Sequence, residues 1–115
     1  MIQLAWPKSG LNPNSRTHWA AKAKLTRAYR GDACWATKAA GVKIEWDGKI
    51  DLHIFFAPPD KRRRDMDGML SSIKAGLDGV ADGLGVNDHR FRLHLDIVEP
   101  VKGGAVNILV NGTNA

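Results

Sequence analysis

Between residues 50 and 84 the spacing of apolar side chains changes from two to three or four. Ile50, Leu52, Ile54 and Phe56 alternate with Asp51 and His53, the pattern of a strand with one buried face. Pro58-Pro59 closes that strand, because proline cannot donate to a β-ladder. Met66, Leu70, Ile73, Leu77, Val80 and Leu84 then recur at helical steps and make one apolar stripe. A half-buried strand and an amphipathic helix this close in the chain bury their apolar faces together, so helices packed on a sheet are the expected architecture.

The same reading extends both ways along the chain. Residues 2–6 alternate Ile2, Leu4 and Trp6 and predict a first strand. Pro7, Gly10 and Pro13 make 7–15 a loop, and Ser15 or Thr17 is placed to cap a helix over roughly 17–40, with Gly31-Asp32 a point for a bend and Gly41 a stop. A second strand is expected over 49–57, a second helix over 67–84, and a third strand over 90–99 with Phe91, Leu93, Leu95 and Ile97 on one face. Gly103-Gly104 reads as a hairpin turn into a fourth strand, 105–110, and the polar tail 111–115 is expected to fray. The order βαβαββ predicts an α/β (α+β) two-layer sandwich: a small mixed four-stranded sheet with two main helices. Its second and third strands form a right-handed parallel crossover and its last two an antiparallel hairpin. The 115 residues show no repeat or linker and suit a single domain, 1–115.

Composition narrows the function classes. One modest core has no room for a deep cofactor cavity, so no small-molecule cofactor is expected. No apolar run approaches the length of a membrane span, and the first residues lack the basic and apolar regions of a signal peptide, so the expected location is the cytoplasm. The single Cys34 excludes a disulfide framework within the chain and a cysteine zinc cluster, and it reads as a small hydrophobe in the first helix. His18, His53, His89 and His94 show no metal-ligand spacing. Seventeen Lys+Arg against 12 Asp+Glu give a net charge of +5, which favours a polyanionic partner. Ten of the acidic residues are Asp, a residue suited to caps, turns and hard cations.

The chemistry concentrates in Asp60-Lys61-Arg62-Arg63-Arg64-Asp65-Met66-Asp67-Gly68. Four consecutive cations meet two carboxylates spaced i, i+2. Close carboxylates resist joint ionisation, and a hard divalent cation relieves that repulsion through oxygen ligands from both. The neighbouring cations suit phosphates, and a metal pocket beside a phosphate clamp is what phosphodiester hydrolysis requires. On a continuous helix, Asp67, Ser71, Lys74 and Asp78 share nearly one azimuth, so Lys74 would stand on the Asp67 side and neutralise charge on a phosphoryl oxygen. Asp88, in the loop before the third strand, is the best third metal ligand, and His89 and Arg90 beside it either contact phosphate or are plain surface residues. The structural alternatives are a solvated charged loop, Asp67 as a helix cap, Lys74–Asp78 as an ordinary i, i+4 pair, and Asn87-Asp88 as a turn. A further row of small residues, Gly68, Ser72, Ala75 and Gly79, with Gly76 beside it, would admit close approach of the sheet or of a partner subunit.

These residues resemble the RusA family of Holliday junction resolvases, small endonucleases of phages and prophages that act in DNA recombination and repair. The family pattern has a basic run, an Asp-x-Asp-Asn opening a helix, a Lys-x-x-x-Asp, and a further Asp in a short loop before a strand. Here the corresponding residues are Arg62-Arg63-Arg64, Asp65-Met66-Asp67-Gly68, Lys74 through Asp78, and Asp88. Trp6-Pro7-Lys8-Ser9 through Asn12 and Asn14 resembles the family's first strand and following loop, and the likeness runs on to the closing Gly-Gly turn. Two positions depart from the pattern: Gly68 stands where it has Asn, and Lys74 lies seven residues after Asp67, where the pattern has four and this chain has Ser71. The resemblance implies a homodimer that cuts four-way DNA junctions symmetrically. It implies Asp65, Asp67 and Asp88 as a Mg²⁺ cluster, with Mn²⁺ as a substitute, and Lys74 as the catalytic lysine. Lys61, Arg62, Arg63, Arg64, Arg16 and Arg90 would contact the DNA backbone.

Two other readings compete with this one. A non-catalytic DNA- or RNA-binding module would use the aspartates only to brace its basic loop. A hydrolase of small phosphate esters fits less well, because a long basic strip suits a polymer. Trp6, Trp19, Trp35 and Trp46 are expected in the core or an interface, with Trp19, next to Arg16-Thr17-His18, the one placed to face DNA. Lys22, Lys24, Arg27 and Arg30 either widen the DNA footprint or form a solvated helix face.

Overall fold

The computed structural model describes residues 1–13 and 15–112. The expectations for Asn14 and for Thr113–Ala115 lie outside the described residues. Four strands, β1 (Ile2–Ala5), β2 (Ile50–Ala57), β3 (Phe91–Ile97) and β4 (Ala105–Gly112), form one mixed sheet in the order β1-β4-β2-β3. Three helices, α1 (Trp19–Ala40), α2 (Met66–Ser72) and α3 (Lys74–Leu84), complete the two-layer α/β arrangement, with short 3₁₀ turns at Ser9–Leu11 and Asp88–Arg90. The core side of the sheet carries Ile2, Ile50, Leu52, Ile54, Phe56, Val106 and Ile108, all fully buried, as the alternation in β2 predicts. Among the described residues no helix is long and apolar enough to cross a membrane.

The expected parallel crossover forms: β2 and β3 run parallel with Ile50 opposite Phe91 and Phe56 opposite Ile97. The expected hairpin between the last two strands does not. β4 inserts between β1 and β2 and pairs antiparallel with both. The physical reason lies in burial. β4 carries the fully buried Val106 and Ile108 and takes a position with ladder partners on both sides, whereas β3, with Arg92, His94 and Asp96, tolerates an edge. Gly103 and Gly104 still make a turn, both with positive φ, but it delivers β4 to the sheet centre. Asn111 and Gly112 belong to β4 rather than to a frayed tail.

Helix α1 runs unbroken through Gly31-Asp32, where a Cβ on Gly31 would meet nothing within 4 Å. Its cap is His18, whose Nδ1 accepts from the Ala20 N–H at 3.3 Å. The hydroxyls expected to cap, Ser15 and Thr17, bond to each other at 2.6 Å instead. Gly41, with φ 69°, ends the helix as expected.

The single helix expected over 67–84 is two helices, interrupted at Ile73 (φ −105°, ψ 7°). The Ile73 N–H donates to the Leu70 carbonyl at 3.2 Å, an i−3 bond, and its own carbonyl accepts from Leu77. Ile73 is fully buried, so the interruption keeps its side chain in the core. Beyond it, α3 turns a row of glycines onto α1. A Cβ on Gly76 would come 2.8 Å from the Tyr29 ring, one on Gly79 would strike the Arg30 carbonyl, and one on Gly83 would come 2.6 Å from the Thr37 Cβ. The small-residue row therefore serves helix–helix contact within the chain at Gly76 and Gly79, while a Cβ on Gly68 would meet nothing within 4 Å. Tyr29, buried at this contact, donates its hydroxyl to the Ala5 carbonyl at 2.7 Å, and burial raises its phenol pKa. Arg30 pairs with Asp82 at 2.7 Å, so this cation braces α1 against α3.

The tryptophans divide. Trp6 and Trp46 pack against the core, Trp19 is exposed as the DNA-facing reading requires, and Trp35 is 74% exposed, against expectation. Only Tyr29, Ala33 and Thr37 of α1 are buried, too narrow a stripe to include Trp35. Cys34 is a half-buried thiol on α1.

Candidate metal and nucleic-acid site

Strands β1 and β2 both run antiparallel to β4, so their C-terminal ends lie at one end of the sheet. Trp6 follows β1 there, and the basic loop follows β2. Proline prevents the β2 ladder from continuing, and the Val101 N–H ties the loop's first residue by donating to the Pro58 carbonyl at 2.9 Å.

Asp60 organises the loop. Its carboxylate accepts from the Arg62 backbone N–H at 2.9 Å and pairs with Arg64 Nη2 at 2.9 Å and Arg62 Nε at 3.3 Å. The Arg62 N–H, with the neighbouring guanidinium groups, holds the Asp60 carboxyl below its ordinary range. Arg64 also donates to the carbonyls of Asp60 and Arg62, at 3.2 and 3.0 Å, and its guanidinium lies over the Trp6 ring. Its side chain is 17% exposed against 81% for Arg62. The run expected to bind DNA as a unit thus splits. Lys61, Arg62 and Arg63 are exposed, and Arg64 is a strut that commits three of its five N–H donors to the loop.

Asp65 occupies the N-cap position of α2 without a side-chain capping bond, and Asp67 lies in the first turn. Both are exposed; Asp65 makes no capping bond, and Asp67 lies where a carboxylate complements the helix dipole, a role compatible with holding a metal. They share a groove of about 430 Å³ with Pro13, Met66, Gly68 and Ser71. A second groove of about 510 Å³ continues from it, with Asp65 and Gly68 common to both. Trp6, Phe56 and Met69 line the second, and Lys8, Arg62, Arg63 and Arg64 supply its positive charge. Trp6, Lys8 and Asn12 are not among the site residues expected from sequence, although the segment from Trp6 through Asn12 carries part of the family resemblance.

The remaining candidates lie elsewhere. Lys74 opens α3 beyond the Ile73 interruption, is exposed, and lines neither groove. The helix is interrupted at Ile73, between Asp67 and Lys74, so the single continuous helix that the shared azimuth requires is replaced by two. Among the described residues Lys74 and Asp78 form no salt bridge. Asp88 precedes β3, whose first residue pairs with Ile50 at the start of β2. Asp65 follows the end of β2, and that eight-residue strand spans about 23 Å at ~3.3 Å per residue. Within one chain, therefore, Asp88 does not share a metal with Asp65 and Asp67. Among the described residues no three His, Cys, Asp or Glu side chains converge as metal ligands. Arg90 donates to the carbonyls of Gly48 and Trp46, at 2.9 and 2.8 Å, and so braces the loop before β2. Arg16 is exposed in the loop before α1.

No protein-family model matches the chain. It is 37% identical over 115 residues to an uncharacterized protein of Xylella fastidiosa (strain Temecula1 / ATCC 700964), a match covering 96% of this chain and 75% of that protein.

Proposed function

We propose that this chain, which belongs to one family with the Xylella fastidiosa protein, is a metal-dependent endonuclease that cuts branched DNA at four-way junctions. The observation that carries the reading is the pair Asp65 and Asp67, uncapped and exposed on one groove, directly beside a second groove charged by Lys8, Arg62 and Arg63.

The donor set suits a hard cation. Two carboxylates offer oxygen ligands only, and Mg²⁺ is commonly held by one or two carboxylates, with waters and substrate phosphates completing its shell. Asp65 and Asp67 would hold it, and Mn²⁺ would substitute. Such an ion, when bound, polarises a phosphoryl oxygen and acidifies water. Lys61, Arg62 and Arg63 neutralise flanking phosphates, which makes affinity fall steeply with salt. Lys74 and Arg16 belong to the wider electrostatic footprint, in keeping with the net charge of +5. Acting on DNA, the protein works in the cytoplasm of a bacterium or a phage-infected host.

A homodimer reconciles Asp88 with the acid pair. β3 is an edge strand with Leu93 38% and Ile97 44% exposed. Antiparallel pairing of two β3 edges about a twofold axis sets the start of one β3 beside the end of the other, which is the end where Asp65 and Asp67 lie. The partner's Asp88 then supplies the third carboxylate.

The test is cleavage of a fixed four-way junction beside a linear duplex, with and without Mg²⁺. Symmetric Mg²⁺-dependent cuts that vanish in Asp65→Asn and Asp67→Asn, with junction binding retained, support the reading. Mixing inactive Asp67→Asn and Asp88→Asn chains regenerates one intact site per heterodimer and restores cutting if the site is shared. The second reading is a non-catalytic binding module, supported by the exposed cations Lys61, Arg62 and Arg63. Tight junction binding with no cleavage under any divalent metal would establish that module instead.

A further inference from the structure

Gly68 has no structural reason to be glycine. It sits in the short helix α2, where glycine is a poorer helix former than alanine. Its φ is not positive, and a Cβ there would meet nothing within 4 Å. In this it differs from Gly76, Gly79 and Gly83, each of which a neighbouring side chain or carbonyl forbids to grow. Yet Gly68 lies on the walls of both grooves, at the point where they join. A bare backbone at such a junction permits close approach of a ligand.

We propose that Gly68 keeps open a passage through which one nucleobase next to the cut phosphate leaves the DNA stack and enters the larger groove. The inference rests on the endonuclease reading and names the part of the substrate that this site selects. Three observations converge on a base as occupant. The groove, about 510 Å³, falls in the size range of small-ligand sites. Trp6, partly exposed above the buried Phe56 and Met69, gives it an aromatic wall for an unstacked base, and Lys8, Arg62 and Arg63 receive the phosphates on either side. The acid pair adjoins it through Asp65, so a base in the groove leaves its own phosphate near the carboxylates. Extruding a base costs a few kcal/mol in regular duplex and least where pairing is already disturbed, as at a branch point. The groove thereby couples branched structure to cutting and gives the cut a base preference.

The test uses the full chain and a four-way junction carrying 2-aminopurine at the nucleotide on one or the other side of the cut. Ca²⁺ replaces Mg²⁺ so that the strand stays intact, and protein is held at saturation as judged by gel shift. Wild type and the remote control Gly31→Ala should raise 2-aminopurine fluorescence several-fold at one of the two positions. Gly68→Phe, which fills the passage, should abolish the rise in equally saturated complexes. Ser9→Trp, which crowds the larger groove from its other wall, should do the same and serves if Gly68→Phe fails to fold. A junction that is bound and cut with no rise at either position overturns the proposal but leaves the endonuclease reading intact. So does an undiminished rise in both filled variants. A wild-type protein that neither binds nor cuts the junction overturns both.

Discussion

The Arg64 guanidinium carbon lies 5.5 Å from the centre of the Trp6 ring, linking the loop after β2 to the end of β1. The third side of this junction is the turn before β4, where a Cβ on Gly104 would come 2.8 Å from Trp6. One indole thus holds together three loops at the end of the sheet where the acid pair sits.

Loss of the strut should disorder the loop without unfolding the sheet. Arg64→Ala removes the cation–π contact, about 1 kcal/mol, together with the bonds to Asp60 and Arg62. Arg64→Lys keeps the charge but lacks the planar fork. Both should lower junction cleavage at least tenfold, whereas Arg63→Ala should chiefly weaken binding and reduce its salt dependence. Cleavage rates and affinities at two salt concentrations, with thermal melts alongside, separate the two effects. Equal behaviour of Arg63→Ala and Arg64→Ala would refute the strut.

The α1–α3 contact should tolerate no added methyl at its tightest point. Gly79→Ala drives a Cβ into the Arg30 carbonyl and to 2.8 Å from Ala33, so it should destabilise by about 1–3 kcal/mol despite alanine's better helix propensity. Gly68→Ala, with open space around it, should be neutral or slightly stabilising by the same urea titration.

Alkaline stability should depend on Tyr29. Burial, with a smaller push from Asp32, raises its pKa in the folded state, so the unfolded chain releases the phenolic proton first. Stability from this group is complete below the ordinary pKa near 10 and is lost as pH rises beyond it. Tyr29→Phe should flatten that alkaline decline while costing about 1 kcal/mol at neutral pH for the lost bond to the Ala5 carbonyl. Denaturant midpoints between pH 7 and about 11 decide it, and parallel curves for the two proteins would sink the idea.

The β3 edge should govern assembly. Charged substitution at Leu93 and Ile97, as in the double variant Leu93→Glu/Ile97→Glu, should give a folded monomer by sedimentation with unchanged far-ultraviolet dichroism. Cleavage should fall with dimer content. A variant that remains dimeric would place the interface elsewhere.

Much of the fold was legible because it rests on local periodicity. The alternation of Ile50 to Phe56, the strand at Ile2–Ala5, the long helix stopped by Gly41 and the parallel return to β3 all follow from short-range pattern. Asp65 and Asp67 were legible for the same reason, since two residues at one helix start stay together in any fold. The place of β4 was not, because two apolar strands joined by Gly-Gly look the same whether they pair with each other or not. What decided it was burial: Val106 and Ile108 are fully covered between β1 and β2. The break at Ile73 was invisible as well, because the apolar stripe passes through it unchanged.

The sequence by itself determined the two layers, the charge and the adjacency of an acid pair to a basic run. Only the tertiary structure decided which of those charges face solvent. It turned Arg64 onto Trp6 and Arg90 onto the carbonyls of Gly48 and Trp46, while leaving Arg62 and Arg63 outward. It also set Asp88 at the far end of the sheet from Asp65, because a parallel crossover returns the chain to the end where its first strand began. Covalent neighbours are known from the sequence, but which end of a sheet a loop reaches depends on strand direction, and that is fixed by pairing across the whole core.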